Sequence, residues 1–365
     1  MREETDSLRM ALVITAMGCG GAERQLAHLA TFLAQHGHRV KVFVLHGGEV
    51  VYPLPPEVEV ALCPNDSASA LARAWRRRRW LRQALVASAA EVAVSFIDVA
   101  NVVTLLAAPR HLPVIVSERT DPRWHRCPAP YRALRRLLYP TAARLVVQSD
   151  ELRAWAVRYT SAERLVVLPN PVFPASPAPP PDGSPRLVAA GRLAREKGFD
   201  LLLEAFAQVA ARFADWSVVI FGEGDQRGAL AQCIERLGLA GRVQLPGVVR
   251  DPARHIRQGD IFVLPSRYEG FPNALAEAMA SGAAVVAFDC PSGARQLIRA
   301  GVDGVLVPAG DTVELAAALA RLMADPDGRR RLAARAPEVV ARFPAQEILA
   351  RWEQLCREVV VGGVG

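Results

Sequence analysis

Two carboxylates with seven residues between them, Glu269 and Glu277, stand on either side of a Gly-Phe-Pro turn in RYEGFPNALAEA (267–278). Gly270 permits an unusual backbone, and Pro272 suits the first position of a helix that Asn273 to Ser281 continues. Glu269 then lies outside the helix mouth and Glu277 about a turn and a half inside it. At a rise of roughly 1.5 Å per residue the two acids are about 10 Å apart. That exceeds the roughly 5 Å of a retaining hydrolase pair and lies at the far end of the inverting range, so joint attack on one bond is disfavoured. The pair suits grips on two ends of something long, and the helix N-terminus between them favours an anionic middle.

The cations for such a middle are in GRLAREKG (191–198), where Arg192 and Lys197 precede the helical stretch 200–210. Arg can fork onto a diphosphate and Lys can act as a point charge; the competing reading is two solvated charges beside Glu196. GCGGAE (18–23) is glycine-rich but is not G-x-G-x-x-G, and no acidic residue closes a second strand about twenty residues on, which argues against NAD. The amides of Gly20 and Gly21 could approach an anion, or the glycines could simply build a tight strand–helix turn. Each acid also has a plain reading, Glu277 as a helix-surface carboxylate and Glu269 as a charge favouring the helix N-terminus. The whole of EGFPNALAEAMASG is more specific than either.

The elements that must position these residues are legible as apolar runs. Before a proline-rich strap the runs are 9–15, 39–45, 91–97, 112–118 and 143–149; after it they are 185–191, 216–222, 242–247, 260–266 and 283–289. Continuous apolar strands with helices between them indicate parallel sheets covered on both faces. The strap, PVFPASPAPPPDGSP (171–185), has seven prolines in fifteen residues and reads as a semi-extended linker. The expected architecture is α/β: two doubly wound, Rossmann-like parallel-sheet domains facing a cleft. The expected boundaries are 1–172 for the first domain, 173–185 for the linker, 186–343 for the second domain, and 344–365 for a C-terminal helix packing back on the first. In such sheets ligands bind beyond the carboxyl ends of the strands, where GCGGAE, GRLAREKG, GEGD (222–225) and SRYEGFPN (266–273) all fall.

Composition narrows the classes. The chain has 365 residues, 51% hydrophobic, long enough for two cores. No apolar run reaches the length of a membrane span and MREETDSLRM lacks a signal peptide's apolar stretch, so a cytoplasmic location is expected. Six scattered cysteines without C-x-x-C, and seven histidines without ligand spacing, predict neither disulfides nor a metal site. The net charge of +7 suits anionic partners. Arginines concentrate in RAWRRRRW (73–80), within the helical stretch 68–90, for which Leu71, Trp75 and Leu85 with Ala74 and Ala84 make the expected apolar face. Arg76, Arg77, Arg78 and Arg79 are candidates for contact with anionic lipid or a lipid diphosphate, against the default of a solvated charged helix. No nucleic-acid recognition signature surrounds them.

GRLAREKGFDLLLEAF, GEGD and VLPSRYEGFPNALAEAMASGAAVVAFD resemble the donor domain of the family-4 retaining glycosyltransferases, which have the GT-B fold. GGAERQLAHLA (20–30) and LPNPV (168–172) resemble that family's N-terminal helix and the end of its acceptor domain. The resemblance implies that Arg192 and Lys197 neutralise a UDP-sugar diphosphate, that Glu277 binds the ribose, and that Glu269 with the amides of Gly270 to Asn273 holds the transferred sugar. The donor-binding set it implies also includes Gly20, Gly21, Gly191, Gly222, Phe271, Pro272, Ala274 and Leu275. It further implies retention at the anomeric carbon, no metal or other cofactor, and a leaving diphosphate that takes the acceptor's proton. Many relatives carry His where this chain has Arg119. SFIDVAN (95–101) and SERTDP (117–122) instead resemble a bacterial branch that extends polyprenyl-diphosphate-linked glycans, which makes Glu118, Arg119 and Asp121 acceptor-side candidates. The expected function is transfer of a hexose or N-acetylhexosamine from a UDP-sugar to such a glycan at the inner face of the membrane. A soluble small-molecule acceptor, a catalytically silent nucleotide-sugar-binding protein and a basic nucleic-acid binder are the alternatives, in that order.

Overall fold

The computed structural model describes residues 7–64, 69–125, 127, 129–175, 179–180, 183, 185–249, 252–256 and 260–362. The chain divides into two compact units, Met1–Pro171 with Gln346–Gly365, and Val172–Ala345. Each is built on one parallel sheet. Six residues of the proline-rich strap, 176–178, 181, 182 and 184, lie outside the described residues.

In unit 1 the strands are β1 (Arg9–Ile14), β2 (Arg39–Val44), β3 (Glu59–Leu62), β4 (Val92–Phe96), β5 (Val114–Ser117), β6 (Arg144–Val147) and β7 (Leu165–Val167). They lie in the order β3-β2-β1-β4-β5-β6-β7, so the chain builds outward from β1, returns to its other side at β4 and continues. The helices are α1 (Gly21–Gln35), α2 (Ala70–Ala87), α3 (Asp98–Ala107), α4 (Ala129–Leu138) and α5 (Asp150–Ala156). Both faces of the sheet are covered: on β1, Ala11 and Val13 join one apolar cluster while Met10, Leu12 and Ile14 are equally buried. That double burial is why these strands read as unbroken apolar runs.

Unit 2 repeats the plan with β8 (Arg186–Ala190), β9 (Ser217–Phe221), β10 (Val243–Gly247), β11 (Ile261–Leu264), β12 (Ala284–Asp289) and β13 (Val305–Pro308) in the order β10-β9-β8-β11-β12-β13. Its helices are α6 (Phe199–Val209), α7 (Arg227–Arg236), α8 (Asn273–Ala280), α9 (Thr312–Ala324), α10 (Pro326–Arg335) and α11 (Val339–Arg342). Leu187 and Ala189 of β8 enter the cluster containing α6, α7 and α9, whereas Val188 and Ala190 enter the one containing α8. The last helix, α12 (Ala345–Val361), belongs to unit 1. Its Trp352 is buried 5.6 Å from the Phe96 ring, and its Glu353 pairs with His38 at 3.1 Å.

Three strands were not anticipated. β3 is an edge strand with three of its four residues exposed, β7 has three residues, and β13 carries a single buried side chain, so none presents a long apolar run. The boundary between the units also falls earlier than expected, because Val172 is buried in unit 2 and its N–H donates to the Phe343 carbonyl. The buried face of α2 keeps Leu85 and Ala84 of the expected one and departs from it at Trp75, while the Leu71 side chain lies outside the described residues. Leu81 and Leu85 are buried, with Trp80 and Ala84 packed beside them, while Trp75 is 57% exposed and Arg79 lies over its ring. The arginine block allowed more than one apolar stripe, and the neighbouring α3 selected the one centred on Leu81.

Candidate active site

In a doubly wound sheet the ligand crevice opens where strand order reverses. In unit 2 that point lies between β8 and β11, and the loops leaving these two strands are those that carry Arg192, Lys197 and Glu269. After β8 the chain makes a tight 3-10 turn at Arg195–Lys197 and enters α6 through Gly198 at φ +65°. A Cβ on Gly198 would lie 1.9 Å from the Pro265 carbonyl oxygen, so glycine is required both by the left-handed backbone and by the approach of the β11 loop. Gly222 meets a similar demand at φ +141°, where a Cβ would strike the Gly191 carbonyl.

These approaches bring Lys197 and Glu269 together across 72 positions of sequence. The Lys197 ammonium donates to both carboxylate oxygens of Glu269 at 2.8 and 3.0 Å, and the Ser266 hydroxyl donates to the nearer one at 2.7 Å. Glu269 is buried, while a quarter of the Lys197 side chain is exposed. Behind the carboxylate, Cys290 and Gly293 close the wall; burial, with the Glu269 charge adding to it, pushes the Cys290 thiol up to about 12 and keeps it protonated. Arg192 is exposed and its guanidinium bonds Glu196 at 2.6 Å, which realises the local pairing weighed against its diphosphate role.

Pro272 is the residue preceding α8 rather than its first helical position, and it contributes no side-chain cap. The first-turn amides, including those of Ala274 and Leu275, therefore lie at an uncapped helix mouth in which Gly270 and Phe271 are buried and Asn273 and Glu277 are half-buried. Arg267, which the motif reading left without a role, forks onto Asp200 at 2.8 and 2.7 Å. Burial, then Glu196, pushes the Tyr268 hydroxyl up.

Unit 1 arranges its charges differently. Gly20 and Gly21 open α1, but the carboxylate of Glu23, in the first turn of that helix, occupies the place a Gly20 Cβ would take and so already covers that glycine. Beyond β5, Glu118 is fully enclosed, accepting from the Tyr139 hydroxyl at 2.5 Å with Arg135 at 3.4 Å. Burial raises its carboxyl despite the opposing Arg135 charge. Asp121 is equally buried and takes a forked bond from Arg123. Direct acceptor contact requires reachable carboxylates, so the placement of Glu118 and Asp121 speaks for structural roles. Arg119 is also buried, stacked 4.1 Å from the Phe96 ring and bonded to Asn170 at 2.7 Å, and burial lowers its guanidinium to about 9. Of the α2 arginines, Arg78 caps the Leu106 carbonyl at the end of α3 and Arg79 stacks on Trp75; Arg76 and Arg77 are half-buried.

All six cysteines are free. Among the described residues no three His, Cys, Asp or Glu side chains gather as metal ligands, and no helix is long and apolar enough to cross a membrane.

Residues 19–176 match the family described as Glycosyltransferase Family 4, and residues 184–325 match Glycosyl transferases group 1. The chain belongs to the family-4 glycosyltransferases. It is similar to an undecaprenol-diphosphate-glycan alpha-1,4-N-acetyl-D-galactosaminyltransferase of Campylobacter jejuni, with 27% identity over 359 residues covering 96% of this chain and 99% of the relative. It is also 34% identical over 232 residues, 60% of this chain, to an exopolysaccharide phosphotransferase of Streptomyces coelicolor, of which the match spans only 24%. An Anabaena protein solved in complex with UDP and glucose shares the GT-B glycosyltransferase's fold with a TM-score of 0.82 at 21% identity, covering 96% of this chain and all of that one. The glycosyltransferase's Asn170, Arg135, Tyr139 and Arg267 were missed by sequence reading, because each acts through a partner distant in the chain and no local pattern marks it. Ser266, whose partner Glu269 lies three residues on, was also given no role.

Proposed function

We propose that this glycosyltransferase moves a hexose or N-acetylhexosamine from a UDP-sugar, with retention and without a metal ion, to a growing polyprenyl-diphosphate-linked glycan. The observation that carries the reading is the Lys197–Glu269 pair at the reversal point of the unit 2 sheet, beside the uncapped mouth of α8. A nucleotide-sugar diphosphate there meets Lys197 and, once Arg192 turns from Glu196, a second cation. Glu269 and the first-turn amides hold the sugar, and Glu277 holds the ribose. As the anomeric C–O bond to the diphosphate breaks, the acceptor oxygen attacks on the same face and its proton passes to the diphosphate. Charge grows on the leaving group in this step, so fixed cations and helix amides stabilise the transition state more than the ground state.

The acceptor class is supported by full-length similarity to the Campylobacter enzyme, whose name gives an undecaprenol-linked substrate. Peripheral contact of α2 with anionic lipid is supported by exposed Trp75 with Arg79 stacked on it. A panel of UDP-sugars incubated with polyprenyl-diphosphate glycans, read by mass spectrometry with NMR of the new anomeric centre, tests the reading. A one-sugar product with retained configuration, formed equally in chelator, is expected. Transfer only to soluble acceptors, inversion, or loss of activity with chelator would reject the acceptor, the stereochemistry or the metal-free step respectively. Trp75→Ala with Arg79→Glu should release the protein from phosphatidylglycerol vesicles; unchanged binding returns α2 to a solvated helix.

A further inference from the structure

We infer that Arg267 is a positioning residue for Lys197, locking the β8 loop to the β11 loop so that the ammonium is presented beside Glu269. This rests on the reading of Lys197 as the cation that receives the leaving diphosphate. Arg267 holds the Lys197 turn from both sides. Its backbone N–H donates to the Glu196 carbonyl at 2.8 Å and its Nη1 to the Arg195 carbonyl at 2.7 Å. Past Lys197, Nη1 and Nη2 fork onto the Asp200 carboxylate in the first turn of α6 at 2.8 and 2.7 Å. Lys197 is thus bracketed by contacts from one residue, which itself lies two positions before Glu269.

An ordinary surface ion pair does not have this form. The Arg267 and Asp200 side chains are 30% and 44% exposed, and such a pair alone contributes little. Here the planar guanidinium also takes the Arg195 carbonyl, so that one side chain bridges the turn before Lys197 and the first turn of α6 after it, a geometry an ammonium cannot span. Ion pairing holds the Asp200 carboxyl below its usual range despite partial burial, so the clamp stays charged at neutral pH. The packing of Gly198 against Pro265 on the same two loops leaves the turn no room to drift without losing these bonds. A displacement of about 1 Å at a catalytic cation is enough to lower turnover about a hundredfold.

The test measures kcat and KM for the UDP-sugar in wild type, Lys197→Ala, Arg267→Ala, Arg267→Lys and the Arg267→Ala/Lys197→Ala double variant. Arg267→Ala is expected to lower kcat at least about tenfold with KM changed less than about threefold, partly rescued by added guanidinium and poorly by Arg267→Lys. In the Lys197→Ala background the same change should lower kcat by less than about twofold, since a residue acting through Lys197 has nothing left to position. An equal fold-loss in both backgrounds, a rise in KM alone, or a wild-type kcat overturns the inference. Should Arg267→Ala not fold, Asp200→Asn removes only the fork's anionic half and is read by the same comparison. A wild type that releases no UDP from any donor defeats the functional reading and this inference together; an active wild type with additive losses defeats this inference alone.

Discussion

The charges beyond β5 in unit 1 and those beyond β8 and β11 in unit 2 occupy equivalent ends of two similar sheets, yet they differ in what they touch. Glu118, Asp98 and Arg135 are all buried, with Tyr139 and Asn101 completing the contacts. Lys197 and Arg192 are partly open, each paired with a single carboxylate. A buried ion must keep every partner because losing one leaves an uncompensated charge in low dielectric. The exposed Arg192 can exchange its carboxylate for a phosphate at modest cost, whereas Lys197, a quarter exposed, can reach a phosphate while keeping the buried Glu269. Ion pairing near a strand end therefore does not by itself mark a binding residue; an accessible cation is also needed. Unit 1 also holds Ile97 at φ +78°, a left-handed backbone rare for a β-branched residue, where its N–H donates to the Ser117 carbonyl at the mouth of α3.

The contrast can be broken most forcefully at Arg135. Arg135→Leu removes the guanidinium facing Asp98 and Glu118 and is expected to cost about 3–5 kcal/mol in a urea titration; a loss below about 1 kcal/mol would make the unit 1 network no different from a surface pair. At Lys197 the effect should move from stability to rate. Lys197→Ala is expected to lower kcat by about 10²–10³, with a smaller loss of stability than Arg135→Leu because the Glu269 carboxylate keeps the Ser266 hydroxyl, and a near-normal kcat would strip the pair of its assigned task. Gly198→Ala probes the contact that joins the two loops, and should destabilise by about 1–3 kcal/mol while lowering kcat, because the backbone is left-handed and Pro265 blocks a methyl group; unaltered turnover would show that the approach of the loops matters only to folding.

The smallest effect is a slope with pH. Burial raises the Glu118 carboxyl above its ordinary 4.5, Arg135 offsetting only part. The folded state then binds this proton more tightly than the unfolded one, so the contribution to stability is present at low pH and lost as pH rises from about 4.5 through the raised value. Glu118→Gln should remove that loss, leaving the wild type losing stability relative to the variant as pH rises across the window. Parallel profiles would mean that the carboxyl titrates as an ordinary one.

Ten of the thirteen strands among the described residues and the helix after Pro272 were legible because strand burial on both faces and a proline-led helix mouth are written in consecutive residues. Lys197 and Glu269 were legible as separate motifs, and their direct pairing was not. The face of α2 was misread at Trp75 because an arginine-rich helix carries too few apolar side chains to define one stripe. Glu118 and Asp121 drew attention as acids at a strand end, but only their neighbours Tyr139, Arg135 and Arg123 reveal that they are enclosed.

By itself the amino-acid sequence determined the two parallel-sheet units, the proline-rich passage between them and a glycosyltransferase's donor motifs, since each depends on residues within a turn or strand of one another. The tertiary structure alone decided that Lys197 meets Glu269 across 72 positions and that Arg267 meets Asp200 across 67. Those meetings follow from β11 returning to lie beside β8, and strand order is set by the burial of whole sheet faces rather than by any local run of residues.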